Sequence, residues 1–212
     1  MKTKHEVENS RVYLMDCMEF MKDLPDGYFH LACVDPPYGL ERFKANDGGN
    51  SKKIKSFGDK DKNWNNIKPL DEYWKELFRI SEYQIVWGAN NFDLPTSEYF
   101  IIWDKMQMMP SFAQCEQAWT NCRVPAKIYR KRSICPERIH PTQKPIALYQ
   151  WIFKNYLPDG GKVFDSHLGS GSSRIAADKA GNIDFTGTEI DEDYFKASVD
   201  RFNKYKSQLT LF

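Results

Sequence analysis

Apolar residues fall in short runs: Val12 to Leu14, His30 to Val34, Gln84 to Trp87, Phe100 to Trp103, Lys162 to Phe164 and Asp184 to Thr188. Runs of this length bounded by turn signals predict buried strands. Between several of them the apolar positions switch to helical spacing, over Leu70 to Ile80, Ile146 to Tyr156 and Ser172 to Ala180, with Gly181 as the stop for the last. A charged, helix-like stretch follows from Asp191 to Lys206. Strand and helix alternating predict an α/β fold, a mostly parallel sheet flanked by helices. The aromatic residues Trp87, Phe92 and Trp103 read as core.

Two segments break this rhythm. Glu41 to Ile67 is rich in Lys, Asn, Asp and Gly and too long for an ordinary connection, which predicts a mobile or substrate-ordered loop. Cys122 to Pro141 carries Lys127, Arg130, Lys131, Arg132 and Arg138 against Glu137 alone, interleaved with Tyr129. Such a run suits phosphates, or else is a solvated face. The rest of the chain cannot supply that attraction, because 30 Lys and Arg against 29 Asp and Glu leave a net charge of +1.

At 212 residues the chain suits a single domain over 1–212. With 41% hydrophobic and 15% aromatic residues it is not a disordered chain. The 5 cysteines are odd in number and form no Cys-x-x-Cys pair, so neither a zinc ribbon nor a disulfide framework fits, and no metal site is expected. The first residues lack an apolar signal region, and no run of about 18 apolar residues occurs. Reduced thiols and a cytoplasmic location are the expectation.

Candidate chemistry begins at Asp35-Pro36-Pro37-Tyr38-Gly39, directly after a predicted strand. In parallel sheets ligands bind outside the carboxyl ends of the strands. The prolines stiffen the backbone and remove two N–H donors, leaving acceptors: the Asp35 carboxylate and the Pro36 carbonyl can take both hydrogens of an amino group. Tyr38 offers a face to a planar ring. The plainer alternative is a proline-stiffened turn with a surface Asp. Further on, Val163 to Ser173 reads as strand, glycine-rich turn and helix start, with Asp165, Gly169 and Gly171 in the turn. Arg174 stands where a dinucleotide fingerprint has its last glycine, and the lysine of a P-loop is missing. Glu189, at the end of the next strand, sits where nucleoside-binding folds hold a ribose. Together these point to a nucleoside ligand carrying no phosphate.

In this order the motifs resemble those of the DNA amino-methyltransferases that use S-adenosylmethionine, in the permuted arrangement called the beta class. Tyr13-Leu14-Met15-Asp16-Cys17 resembles the family's segment beside the cofactor adenine, and His140-Pro141-Thr142-Gln143-Lys144-Pro145 its His-Pro-Thr-x-Lys-Pro motif. Asp165 to Gly171 resembles the cofactor loop, and Gly187 to Asp191 the segment with the ribose-binding acid. The resemblance implies a Rossmann-like methyltransferase fold with permuted motif order and S-adenosylmethionine as cofactor. It implies Asp35, Pro36 and Tyr38 as catalytic residues, and Asp16, Cys17, His140, Thr142, Lys144, Asp165, Gly169, Gly171 and Glu189 as cofactor-binding residues. There are departures. His167 replaces a Phe of the cofactor loop and reads as a packed core histidine, Ser172 and Ser173 stand where threonines are common, and the recognition region around 120–140 is short.

The implied reaction is methylation of a flipped-out base in DNA. An amino group on a base is a poor nucleophile until its lone pair is localised, and a base within a duplex is out of reach until it is flipped. Asp before Pro-Pro favours, by resemblance, adenine N6 over cytosine N4. Methylation of RNA adenine, or a recognition module without activity, are the competing readings. The segment 207–212 forms a tail. There Gln208, Leu209, Leu211 and Phe212 resemble the Gln-Leu-x-Leu-Phe peptide that binds the bacterial sliding clamp, or pack back on the core.

Overall fold

A computed structural model of the chain describes residues 3–39, 67–108, 113–133 and 138–209. The loop expected over Glu41 to Ile67 lies outside them except for Ile67, as do Cys135, Glu137 and Thr210 to Phe212. Along the chain come β1 (Lys4–Val7), β2 (Ser10–Leu14), α1 (Cys17–Met21), β3 (Phe29–Val34), α2 (Asp71–Ile80) and β4 (Ser81–Trp87). Then follow β5 (Phe100–Asp104), β6 (Cys115–Thr120), β7 (Lys127–Arg130), α3 (Ile146–Tyr156), β8 (Gly161–Asp165), α4 (Ser172–Ala180), β9 (Ile183–Glu189) and α5 (Glu192–Leu209).

The described strands pair into one sheet in the order β1-β2-β9-β8-β3-β4-β6-β5-β7. Its centre, β2-β9-β8-β3-β4, is parallel. The antiparallel pairs are β1 with β2, β4 with β6 and β5 with β6, while β7 runs parallel to β5. This is a mostly parallel Rossmann-like fold. Central strands read as continuous apolar runs because both faces are covered. Leu31, Cys33, Ile85, Trp87 and Val163 pack on one face with Leu148, Ile152 and Phe153 of α3 and Ala176 and Ala177 of α4. Their strand neighbours Ala32, Val34, Val86 and Phe164 face the other way, onto Met21 of α1 and Tyr73, Leu77 and Ile80 of α2. Period-two alternation thus divides the apolar residues between two cores.

Both edge strands escape the apolar pattern. β1 carries Lys4 and Glu6, ion-paired at 2.7 Å, and β7 lies inside the basic run. An edge strand buries little, so charged residues there cost little and discourage pairing with other chains. The last helix also runs further than its charge pattern suggests, through Leu209, so Gln208 and Leu209 begin the expected tail as helix. Among the described residues, no helix is long and apolar enough to cross a membrane.

Phe164 is central to the core on the α1 and α2 side. Its ring stacks on Phe29 at 5.0 Å and on Phe20 at 5.5 Å between centroids. Phe164→Ala is expected to lower the unfolding free energy by about 3 to 5 kcal/mol, measured by urea denaturation, as for other buried Phe truncations.

Candidate active site

Parallel strands bring their carboxyl ends to one edge, and four of them open onto a shared cleft. Met15, Asp16 and Cys17 follow β2, Asp35 and Pro37 follow β3, Ser166 to Ser170 follow β8, and Glu189 to Asp191 close β9. His140, Thr142, Gln143, Lys144, Tyr149 and Tyr194 complete the wall. Among the described residues, the carboxylates of Asp16, Asp35, Glu189 and Asp191 outnumber the ammonium of Lys144 on this wall. Such a lining favours a ligand with positive charge and hydroxyl groups and repels a phosphate.

Asp35 is held from both sides. The Tyr38 hydroxyl donates to Oδ1 at 2.5 Å, and the Lys144 ammonium contacts Oδ2. Tyr38 reaches this position by lying against Gly88. A Cβ at that residue would stand 2.2 Å from the Tyr38 ring, and its φ of +70° also suits glycine. Phe92 meets Tyr38 edge-on at 6.0 Å. The ring read from sequence as a stacking surface is therefore packed against Gly88 and outside the cleft wall, with its hydroxyl spent on Asp35. Burial, then the adjacent Asp35, push the Tyr38 phenol well above its ordinary range. Lys144 is itself buried, and burial opposes its charge. Asp35 and Glu116 outweigh that and hold the ammonium protonated well above the usual lysine range.

Glu189 braces the glycine-rich turn. Its Oε2 accepts from the Gly169 N–H at 2.8 Å and its Oε1 from the Asp191 N–H at 2.9 Å. Burial raises its carboxyl above the ordinary range. Asp165 and Gly171, expected to bind the cofactor, are not on the cleft wall. Asp165 is buried and accepts from the Ser173 hydroxyl at 2.5 Å and the His167 N–H at 3.2 Å, so it shapes the turn from behind. Gly171, at φ +67°, is the residue that turns the chain into α4. The ring of His140 packs edge-on against Tyr194 at 4.4 Å and beside Gly169. Asp16 caps α1, accepting from the Met18 N–H at 2.7 Å. Burial, then the Asp16 charge, push the Cys17 thiol up to about 12, which makes it an inert apolar contact.

His167, read as core, packs edge-on against Tyr73 at 5.6 Å and also borders the cleft. Its Nδ1 lies 2.8 Å from the Ser166 hydroxyl, which lies 2.6 Å from the buried Tyr73 hydroxyl. Pro36 is buried, and its neighbour Pro37 lines the cleft in its place. Of the basic run, Arg132 and Arg138 line a second cleft with Lys105, Glu116, Met106 and Gln107, separated from the first by Thr142 and Gln143. Arg138 also donates to the carbonyls of Pro141 and Ser133 at 3.0 Å. Lys127, Arg130 and Lys131 lie on or beside β7 away from both clefts, and Arg130 pairs with Asp104 at 3.3 Å. The sequence pattern missed Glu116, Lys105, Tyr73 and Tyr194. A charged residue within the short β6 run was the one local signal, and it pointed to no partner.

Comparison with known proteins adds independent findings. The family model described as DNA methylase matches residues 98–200. The type II methyltransferase M.ScaI of Streptomyces caespitosus is 38% identical over 71 residues, 34% of this chain and 23% of that protein. M2.DpnII of Streptococcus pneumoniae is 25% identical over 138 residues, 65% of this chain and 48% of that protein. The chain thus spans about half or less of the length of these curated relatives. Among solved structures, the M1.HpyAVI–SAM complex superposes with a TM-score of 0.60 at 20% identity, over 91% of this chain and 98% of that one. The cytosine-N4-specific PvuII DNA methyltransferase gives 0.63 at 14% identity, over 92% and 87%. At these identities the structures speak for the fold.

Two buried titratable groups of the turn oppose each other. Burial raises Asp165 from an ordinary 3.8 to about 7, so its ionisation costs the folded state stability as pH climbs through that window. Burial lowers His167 from 6.5 to about 4, so stability is lost as pH falls from 6.5 toward 4. Relative to the parent, His167→Gln should gain stability on acidification from pH 6.5 to 4, and Asp165→Asn should gain it as pH rises from 4 to 7. Urea midpoints across that range check both slopes; parallel pH curves for all three proteins would refute the assignment.

Proposed function

We infer that this chain, for which the family model and the curated relatives support a DNA methyltransferase family, transfers a methyl group from S-adenosylmethionine to the exocyclic amino group of a base in DNA. The observation that carries the reading is Asp35, fixed by the Pro36-Pro37 turn at the end of β3, on the wall of a cleft whose far side is built by Glu189 and Gly169. The motif order, with Asp35 ahead of the glycine-rich turn, is that of the permuted beta class.

The cleft suits the cofactor by its donor set. Among the described residues acidic groups dominate, a glycine-rich turn lets a ligand approach the backbone, and no arginine lines the wall to call for a phosphate. Asp16, Glu189, His140, Thr142, Cys17 and the backbone around Gly169 would hold it. When bound, S-adenosylmethionine supplies a methyl group on a sulfonium centre. The residues of the chain do the rest. Asp35 and the Pro36 carbonyl accept the two amino hydrogens and so concentrate the lone pair on nitrogen. Tyr38 holds the carboxylate in register, and Asp35 or water receives the departing proton. Holding the reactants in line is worth about 7 to 11 kcal/mol of barrier in well-oriented systems.

Adenine N6 is the favoured acceptor because Asp rather than Ser precedes Pro36. Cytosine N4 is the second reading, since the structurally similar PvuII DNA methyltransferase is cytosine-N4-specific. Arg132 and Arg138, beside the second cleft, are the residues of the basic run best placed to meet phosphates, with affinity falling as salt rises. Contact with a sliding clamp through Gln208, Leu209, Leu211 and Phe212 is a separate proposal, tested by surface plasmon resonance with Leu211 and Phe212 deleted.

Asp35→Ala should abolish methyl transfer and leave cofactor affinity within a few-fold. Tritiated-methyl incorporation into duplex DNA, single-stranded DNA and RNA checks this, and nucleoside chromatography of the product separates N6-methyladenine from N4-methylcytosine. Turnover by the variant equal to the parent would sink the role of Asp35. Glu189→Ala should weaken S-adenosylmethionine roughly tenfold to hundredfold by calorimetry, as expected for losing hydrogen bonds to a charged acceptor. Unchanged affinity would move the cofactor elsewhere.

A further inference from the structure

Asp35 shares its ammonium with a second carboxylate. Lys144, 2% exposed at its side chain, lies 3.2 Å from Glu116 Oε2 while contacting Asp35 Oδ2. Glu116 in turn takes Lys105 at 2.6 Å on Oε1. Trp87 flanks the Lys144 ammonium at 5.3 Å from the ring centroid, and Trp103 flanks Lys105 at the same distance. These residues come from the end of β3, from β6, from the residue after β5 and from the segment before α3. They form a wall with Asp35 facing the first cleft and Glu116 the second.

This arrangement competes with the work Asp35 is assigned. Each carboxylate oxygen has two lone-pair sites, so Asp35 can accept amino hydrogens only in the directions its present donors leave open. Here Oδ1 holds Tyr38 and Oδ2 holds Lys144. Removing Lys144 from Asp35 would ordinarily strand a buried cation, which is strongly unfavourable. Glu116 removes that obstacle, because it already lies against the same ammonium with a buried oxygen that accepts no well-aligned hydrogen bond. We propose that Glu116 is a positioning residue: when a base enters, Lys144 moves its hydrogen bond from Asp35 to Glu116 and frees Asp35 Oδ2 for the amino group. No proton need move, and Lys105 keeps Glu116 ionised and in place. Burial opposes that ionisation, and Lys144 and Lys105 overcome it and hold the Glu116 carboxyl below its ordinary range.

The inference rests on the amino-methyl transfer reading, and its test separates the two. In Glu116→Gln, kcat should fall about tenfold to hundredfold, while the KM for duplex DNA and the affinity for S-adenosylmethionine stay within about threefold. Glu116→Asp should recover part of the loss. A side chain needed only for stability would instead lower the melting temperature and weaken cofactor binding. Independently of turnover, the Lys144 ammonium resonance in protein labelled with 15N-lysine should shift when duplex DNA is added to the parent. It should stay fixed in Glu116→Gln. Parental kcat in Glu116→Gln, a loss confined to KM, or a Lys144 resonance unmoved by duplex would overturn the proposal. Should Glu116→Gln fail to fold, the parent resonance decides alone. A parent that transfers no methyl group would refute the functional reading, while the resonance still reports whether Lys144 changes partner.

Discussion

A buried ammonium at Lys144 ties the two halves of the sheet together at the site. It lies between a carboxylate at the end of the parallel centre, Asp35, and one from the antiparallel extension, Glu116. Neither acid could be placed so close to the other without it, since two buried like charges at short range raise each other's energy. Lys144 could not stay charged there without them. The aromatic faces of Trp87 and Trp103 line this charged row and limit the entry of water, which strengthens each pair.

The same logic of mutual support governs the opposite wall. The glycine-rich turn after β8 is pinned from the front by Glu189, which takes the Gly169 N–H, and from behind by Asp165, which takes Ser173 and the His167 N–H. The Thr188 hydroxyl adds a bond to the Ser166 carbonyl at 2.8 Å. A turn fixed at so many points presents its backbone to a ligand without ordering cost at binding. Two acids of the sequence motif thus divide the labour: one lines the cleft, and the other never reaches it.

The cleft and the second cleft beside it share the wall built by Lys144 and Glu116. Thr142 and Gln143 border both clefts. The basic run divides accordingly. Arg132 and Arg138 turn toward that second cleft, while Lys127 and Arg130 follow an edge strand whose charge also suits the blunting of an edge.

Continuous apolar stretches within His30 to Val34 and Lys162 to Phe164 marked these central strands by themselves, because burial on both faces leaves few polar positions there. Local rules likewise marked the stop at Gly181 and the acceptor-rich turn at Asp35 to Pro37, but not the helix that Asp16 caps. The sequence could not show which strands neighbour one another, since parallel pairing joins residues as distant as Leu31 and Val163. For the same reason the partners of Asp35 were hidden: Lys144 and Glu116 approach it only across strands and loops far apart in the chain. Tyr38, expected to offer a stacking face, also packs on Gly88 and donates to Asp35, and His167, expected in the core, packs on Tyr73 and also borders the cleft. A side chain's neighbours, Gly88 and Asp35 for the tyrosine and the open cleft for the histidine, exist only once the sheet has assembled. Composition and spacing decide which residues want to be buried, and tertiary packing alone decides what each buried polar group will face.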